Sequence, residues 1–303
     1  MGYRVVFEFS PLYELVNSLQ LFLSKKSIKN VDLGAEWIKE VQESFDAHNV
    51  DLGNPKDLPC FSYLYLLIWQ SPEKENVGAF INWLRSLQPG HLYEKLFSYE
   101  SESLPSNLVT IRDQYVALIK LWNDLYFSKI DSSIFDLLRE SVIEWEGKSL
   151  TEDPISFVEK VSGGLKIEDY DGLEQVILTP SYHMNPLITI SKYKNMAQIL
   201  YPVDRPEEDP NQPSKKLVRI TKALADENRL RILKLLTEGP KTFTEILKHF
   251  DVSKSTVHHH VMLLRTAGLI SAYHTDECCS ESFVYRPIGM TELTEQFNEY
   301  IKK

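Results

Sequence analysis

The chain is predicted to be mainly α, of the α+β class: a long helical N-terminal body with a small β-sheet, then a compact C-terminal unit of helices and one β-hairpin. Three observations carry this expectation. Apolar residues recur at three- and four-residue spacing through much of the first 145 positions, the period of an amphipathic helix. The stretch Tyr201 to Ser214 (YPVDRPEEDPNQPS) holds prolines at 202, 206, 210 and 213, a density that neither a helix interior nor an inner strand tolerates. Charge is also divided unevenly about that stretch. Residues 1–213 hold 19 basic and 32 acidic side chains, residues 214–303 hold 14 and 11, and Ser214 to Arg265 alone holds 11 and 5. A basic segment on an acidic body points to a polyanion met by the last third. The expected division is a domain over 1–201, a Pro-rich linker over 202–213 and a second domain over 214–303.

Bulk composition narrows the classes. With 303 residues, 43% hydrophobic and 25% charged, the chain is neither disordered nor fibrous and has length for two domains. Its longest apolar run, Tyr63 to Trp69, is far short of the roughly 20 residues of a membrane span, and no signal-peptide pattern opens the sequence. Cys60, Cys278 and Cys279 are the only cysteines, an odd count unlike a secreted disulfide framework. The expectation is a cytoplasmic protein without a membrane partner.

In order along the N-terminal body, Arg4 to Phe9 (RVVFEF) reads as a strand, and Leu12 to Leu23, Trp37 to Phe45, Phe80 to Leu87, Leu108 to Phe127 and Ile134 to Trp145 read as amphipathic helices. All five tryptophans (37, 69, 83, 122 and 145) fall here. Large rings at helical spacing belong first to a core, and a ligand cage is the alternative. After Gly163-Gly164 the character changes to short β-branched runs at Val176 to Leu178, Leu187 to Ile190 and Gln198 to Leu200, which predict a small sheet.

Beyond the linker, Leu217 to Leu224 and Leu230 to Leu236 are two helical stripes, the second stopped by Gly239-Pro240. Thr242-Phe243-Thr244-Glu245 has the form of a capping box and opens a short helix ending near Phe250. Asp251 to Ser253 makes a tight turn, and Ser253 caps a further helix that runs through Val257, Val261 and Leu264 to Gly268. Two helices so joined make a helix-turn-helix. Leu269 to Tyr273 and Ser282 to Arg286 then flank a polar tip as a β-hairpin wing, and Thr291 to Ile301 forms a closing helix.

Taken together, Ala223 to Leu233 (ALADENRLRIL), Leu235-Leu236, and Ser253 to Ile270 (SKSTVHHHVMLLRTAGLI) resemble the winged helix-turn-helix of ArsR-type transcription regulators. The resemblance covers roughly the last 90 residues, and Asn228 stands where many members have proline or threonine. It implies a sequence-specific DNA-binding regulator, expected to be a repressor, that acts on double-stranded operator DNA as a homodimer paired through Ser214 to Leu224 and Thr291 to Ile301. The N-terminal domain would then supply dimer contacts or sense a small-molecule effector, and its aromatic richness would suit an apolar or aromatic one. The alternative is an enzyme or protein-interaction scaffold with an attached regulatory winged helix.

Helical geometry selects the candidate DNA-binding side chains. With Val257, Val261 and Leu264 inward, steps of 100° put Ser255, His258, His259 and Met262 on the opposite side, and Lys254 at the first turn. Hydroxyls, imidazoles and a lysine there suit phosphates and base edges. Ser253, Thr256 and Arg265 lie within the same motif, and His260 falls beside the inward stripe in a supporting place. Thr242 and Thr244 are candidate phosphate contacts at an open helix start, with capping as the simpler role for Thr242. In the wing, His274 and Arg286 are candidates for the backbone or minor groove.

No metal or other cofactor is expected. Consecutive histidines 258–260 diverge by 100° and cannot converge on one ion. The helix after Thr242 lacks the Cys-x-Cys motif that the resemblance would require of a thiolate sensor, and Cys278-Cys279 read as wing residues or a redox-sensitive tip. Nucleophile-elbow, P-loop, dinucleotide and zincin motifs are absent, so no enzyme is expected. Of the scattered histidines, His183 in the loop Ser181 to Pro186 is the one that could join a cluster; solvation is its simpler reading.

Overall fold

The structure is a computed structural model that describes residues 2–24, 28–48, 60–100, 103–148, 153–207, 209, 211–274 and 281–302. Cys278 and Cys279 lie outside the described residues. In chain order the elements are β1 (Arg4–Phe7), α1 (Pro11–Leu23), α2 (Gly34–Ala47), α3 (Phe61–Gln70), α4 (Val77–Ser86), α5 (Pro89–Phe97), α6 (Leu108–Leu125), α7 (Ser133–Glu146), α8 (Pro154–Ser162), β2 (Leu165–Ile167), β3 (Gln175–Ser181), β4 (Thr189–Lys192) and β5 (Met196–Pro202). They continue with α9 (Lys215–Leu224), α10 (Glu227–Leu236), β6 (Lys241–Thr242), α11 (Phe243–Leu247), α12 (Lys254–Thr266), β7 (Ile270–His274), β8 (Ser282–Tyr285) and α13 (Ile288–Lys302). The chain is thus mixed α+β and mainly helical. It folds as two compact units, one of Val6–Glu146 with Gly172–Val203, the other of Met1–Val5, Gly147–Asp171 and Asp204–Lys303.

In the first unit the amphipathic stripes become α1, α2, α4, α6 and α7. α1 starts where Ser10 accepts a hydrogen bond from Leu12 N at 3.1 Å, with Pro11 preset for the first turn. It packs on α3, α6 and β3, burying Leu12, Leu15, Val16 and Leu19. Helix α3 was not expected. Its sequence FSYLYLLIWQ buries five consecutive residues, Leu64 to Ile68, so it is apolar all round and shows no stripe to read. The sheet has strand order β1-β3-β5-β4, with β3 parallel to β5 and β4 antiparallel to it. Its two central strands are buried almost throughout, which is why they read as continuous β-branched runs rather than alternation.

The aromatic rings of this unit pack mostly on one another. Phe22 lies 5.4 Å from Phe45, 5.1 Å from Trp122 and 6.3 Å from Trp37 between ring centres, with Trp122 fully buried. They form core, not a cage. Beside them lies a polar network. Glu14 and His183 are both essentially inaccessible, with His183 Nδ1 2.5 Å from Glu14 Oε2. The same carboxylate accepts from the backbone amides of Tyr182 (3.0 Å) and His183 (3.1 Å) and from Asn17 Nδ2 (3.0 Å). On its other side His183 Nε2 is 2.8 Å from Tyr126 Oη, which accepts from Trp37 Nε1 at 2.8 Å. His183 is therefore not the solvated loop residue of the simpler reading. Burial pushes the Glu14 carboxyl up, but the His183 hydrogen bond and charge outweigh it and hold Glu14 below the ordinary carboxylate range.

The second unit differs from the expected 214–303 by taking in residues 147–171, residues 204–213 of the expected linker and the first five of the chain. Strand β2 pairs in parallel with β7, Leu165 opposite Ala272, giving a sheet of order β2-β7-β8-β6. The approach depends on two glycines. Gly163 ends α8 at φ 75°, and Gly164, at φ 133°, accepts from Ala272 N at 2.7 Å; a Cβ on Gly164 would lie 2.8 Å from Ile270 O. A strand of three residues carries no period, and α8 and β2 had no signal of their own beyond Gly163-Gly164. Helix α13 begins at Ile288, three residues before the expected Thr291.

Candidate nucleic-acid interface

The four helix starts from α9 to α12 are closed locally. Ser214 accepts from Leu217 N at 3.1 Å, Asp226 from Arg229 N at 3.0 Å, Thr242 from Glu245 N at 3.3 Å and Ser253 from Thr256 N at 3.1 Å. The Thr242 capping box is complete, since Glu245 Oε2 also accepts from Thr242 N at 2.7 Å. Those hydrogen bonds hold the Glu245 carboxyl below its ordinary range. A carboxylate thus already occupies the start of α11, and Thr242 serves as its cap. Thr244, in the same first turn, is exposed.

On α12, Val257, Val261 and Leu264 are buried at 0, 2 and 0% exposure, and Lys254, Ser255, His258 and His259 are exposed, with Met262 half-buried. The expected inward and outward faces are therefore the ones observed. Ser253 Oγ lies 2.8 Å from both Ser255 Oγ and Thr256 Oγ1, a small hydroxyl cluster on the first turn. The His258 ring sits edge-on to Phe243 at 6.0 Å, which fixes that imidazole beside the start of α11. Phe243 was not among the expected residues; its aromatic side chain at the first position of α11 was the available signal.

His260 faces the other way. It is buried, 3.5 Å from Arg229 Nη1 and 3.9 Å from Asp226 Oδ1. Burial lowers its pKa against the pull of Asp226. Arg229 donates from Nε to Ala223 O at 2.7 Å and from Nη2 to Lys222 O at 2.8 Å, closing the end of α9. One arginine thus joins α9, the start of α10 and α12.

The wing residues are engaged within the protein. Arg265 Nη1 and His274 Nε2 both lie 2.8 Å from Glu281 Oε1. Burial raises the Glu281 carboxyl, but the His274 hydrogen bond and the Arg265 charge outweigh it and hold it low. Arg286 corrects the sequence reading outright. It is 2% exposed and donates to Gly268 O at 2.9 Å and Glu292 Oε1 at 3.0 Å; its guanidinium is spent inside the unit and does not face a groove. The sequence placed it at the end of a wing strand, where polar side chains ordinarily point out. Among the described residues no group of three or more His, Cys, Asp or Glu could hold a metal ion, and no helix is long and apolar enough to cross a membrane.

The arrangement is an exposed, acid-free helix face on a locally capped scaffold, and it matches known proteins over this part of the chain. Residues 226–272 match the model of the bacterial regulatory protein arsR family. The transcriptional repressor SdpR of Bacillus subtilis (strain 168) is 33% identical over 79 residues, 26% of this chain and 82% of that protein. Among solved structures, an ArsR family transcriptional regulator is 25% identical over 29% of this chain and 94% of its own, with a TM-score of 0.26. Reduced HlyU from Vibrio cholerae N16961 is 24% identical over 28% of this chain and 88% of its own, with a TM-score of 0.22. Through its C-terminal winged helix-turn-helix, the chain belongs to the arsR family of bacterial regulatory proteins.

Proposed function

We propose that the protein is a sequence-specific DNA-binding transcription repressor. The observation that carries this is the outward face of α12. Lys254, Ser255, His258 and His259 stand exposed together, and no acidic residue occurs from Val252 to Thr275. A duplex presents one phosphate charge per ~1.7 Å of axis, so a face with hydroxyls, imidazoles and a lysine but no carboxylate can enter a major groove without repulsion. Thr244 and the Ser253–Thr256 cluster would contact phosphates, and Arg265 and His274 would reach DNA only on leaving Glu281. The repressor sign follows the similarity to SdpR, which is named a transcriptional repressor. Regulators of this kind work in the cytoplasm, and neither a metal nor a catalytic step is part of the reading.

Two finer parts belong to the same proposal. The first is a homodimer. Helix α13 packs on α9 and leaves Met290, Phe297 and Ile301 36, 51 and 63% exposed. Their spacing of seven and four places them on one face, which a second copy would cover. The second is effector sensing by the N-terminal unit. A cleft of about 600 Å³ there is lined by both apolar residues, Phe127, Ile130 and Phe135 among them, and polar ones, including Asn76, Asp136 and Arg139. That mixed lining favours an amphipathic molecule over the purely apolar one expected from composition. The buried Glu14 and His183 and the half-buried Tyr126 are not among its lining residues, which favours a structural over a catalytic role for them.

The test is binding of the full chain to the DNA upstream of its own gene and to a scrambled duplex across a salt series, beside a His258→Ala/His259→Ala variant. Selective binding that the variant loses, with log K falling steeply with log salt, is expected. Equal weak binding to both duplexes, unchanged in the variant, would overturn the reading.

A further inference from the structure

The C-terminal unit contains a charge system centred on the buried Arg286 that the helix-turn-helix itself does not account for. Arg286, at the end of the wing, reaches Gly268 O just past the end of α12 and Glu292 Oε1 on α13; Glu292 Oε2 in turn lies 2.9 Å from Lys216 on α9. The third partner comes from outside the 214–303 segment. Glu159 on α8 has Oε1 3.9 Å from Arg286 Nε and accepts a short hydrogen bond from Ser271 Oγ on β7, while its Oε2 lies 3.1 Å from Lys166 on β2. Burial raises the Glu292 carboxyl, but Lys216 and Arg286 outweigh it and keep it ionised. Glu292 compensates this buried guanidinium through a hydrogen bond and Glu159 through charge alone at 3.9 Å, since Arg286 Nε has no hydrogen-bond partner among the described residues; losing either carboxylate leaves the buried charge less compensated.

The backbone around this system has no slack. A Cβ on Gly268 would sit 3.2 Å from Arg286 Nη1, and one on Gly289 would sit 2.4 Å from Gly268 O. Gly268 also closes α12 at φ 68°. Displacing Arg286 therefore moves the point where the recognition helix ends and the wing begins. Glu159 faces β7 and carries no DNA-directed group, so its influence on binding passes through Arg286 and Ser271, with a lesser route through Lys166, whose Nζ lies 3.4 Å from Tyr273 Oη on β7.

We propose that the α8–β2 segment is a working part of the DNA-binding unit, and that Glu159 is a positioning residue that sets α12 and the wing through Arg286 and Ser271. The inference rests on the DNA-binding reading above. It also gives a role to residues 147–171 folding with this unit although 146 and 172 belong to the other.

The sign of one substitution separates this from electrostatics. Glu159→Gln removes a negative charge, which by itself tightens binding to a polyanion. The positioning role requires the opposite, a roughly five- to tenfold weaker affinity for the upstream duplex with an unchanged salt slope, because no phosphate contact is lost. Glu168→Gln, an exposed site in the same unit, removes the same charge and should bind as tightly as the parent or more so. If Glu159→Gln melts below the assay temperature, Ser271→Ala, which deletes only the hydroxyl donated to Glu159, is read in its place with the same expectation. Affinity equal to or tighter than the parent in the folded variant would overturn the proposal while leaving the DNA-binding reading intact. Absence of duplex binding by the parent protein would overturn both.

Discussion

The recognition region and the N-terminal core both pair most of their polar groups, but the decisive pairs span different distances along the chain. Around α9 to α12 the decisive hydrogen bonds join residues three apart, Ser214 to Leu217, Asp226 to Arg229, Thr242 to Glu245 and Ser253 to Thr256. In the N-terminal unit the partners are remote: Glu14 with His183, Asn17 with Ser181, Trp122 with Ser18. Local pairing leaves a signature in the sequence and costs little to lose. Remote pairing leaves none, and it places a carboxylate and an imidazole where neither tolerates being alone.

The largest effect should come from Glu14→Ala. Stranding His183 in the core should cost about 3–5 kcal/mol, read in urea by tryptophan fluorescence, which reports this unit alone because all five tryptophans lie within Val6–Glu146. A loss under about 1 kcal/mol would mean that the remote network is decorative and the contrast false. Next, Leu264→Ala on the buried face of α12, fully inaccessible, should cost about 3 kcal/mol by circular dichroism. Apolar burial is thus expected to matter in both units, and only the polar partners should differ.

Acid should distinguish the units through the same pair. Glu14 has its pKa lowered in the fold from an ordinary 4.5, so the stability it contributes is present above that value and is lost as pH falls through the lower, folded one. Glu14→Gln should flatten the acid limb of the tryptophan-reported stability profile below about pH 4.5; an unchanged limb would assign acid sensitivity to other groups. The smallest effect belongs to Ser253→Ala, a cap worth about 1 kcal/mol. A cost above about 3 kcal/mol would show that the recognition helix depends on more than its local cap.

What the sequence showed follows the same division. The helix-turn-helix was legible because its caps, its inward Val257, Val261 and Leu264, and its outward His258 and His259 are all written within 30 residues. The amphipathic N-terminal helices were legible from their period and the strands from their β-branched runs, whereas α3 was not, because a helix buried on every side has no apolar stripe. Arg286 was misplaced for a related reason: position on a wing strand suggested exposure, and its partners Gly268, Glu292 and Glu159 are set by packing. Segment 147–171 went unassigned to the C-terminal unit because β2 is three residues long and its partner strand lies over 100 residues away.

The central claim, that α12 meets DNA, is tested most directly by amide hydrogen exchange of the full chain with and without the upstream duplex at low salt. The account expects slowed exchange concentrated in residues 253–265 when DNA is bound. Bound duplex with no change in that segment, and protection confined to Val6–Glu146, would contradict it.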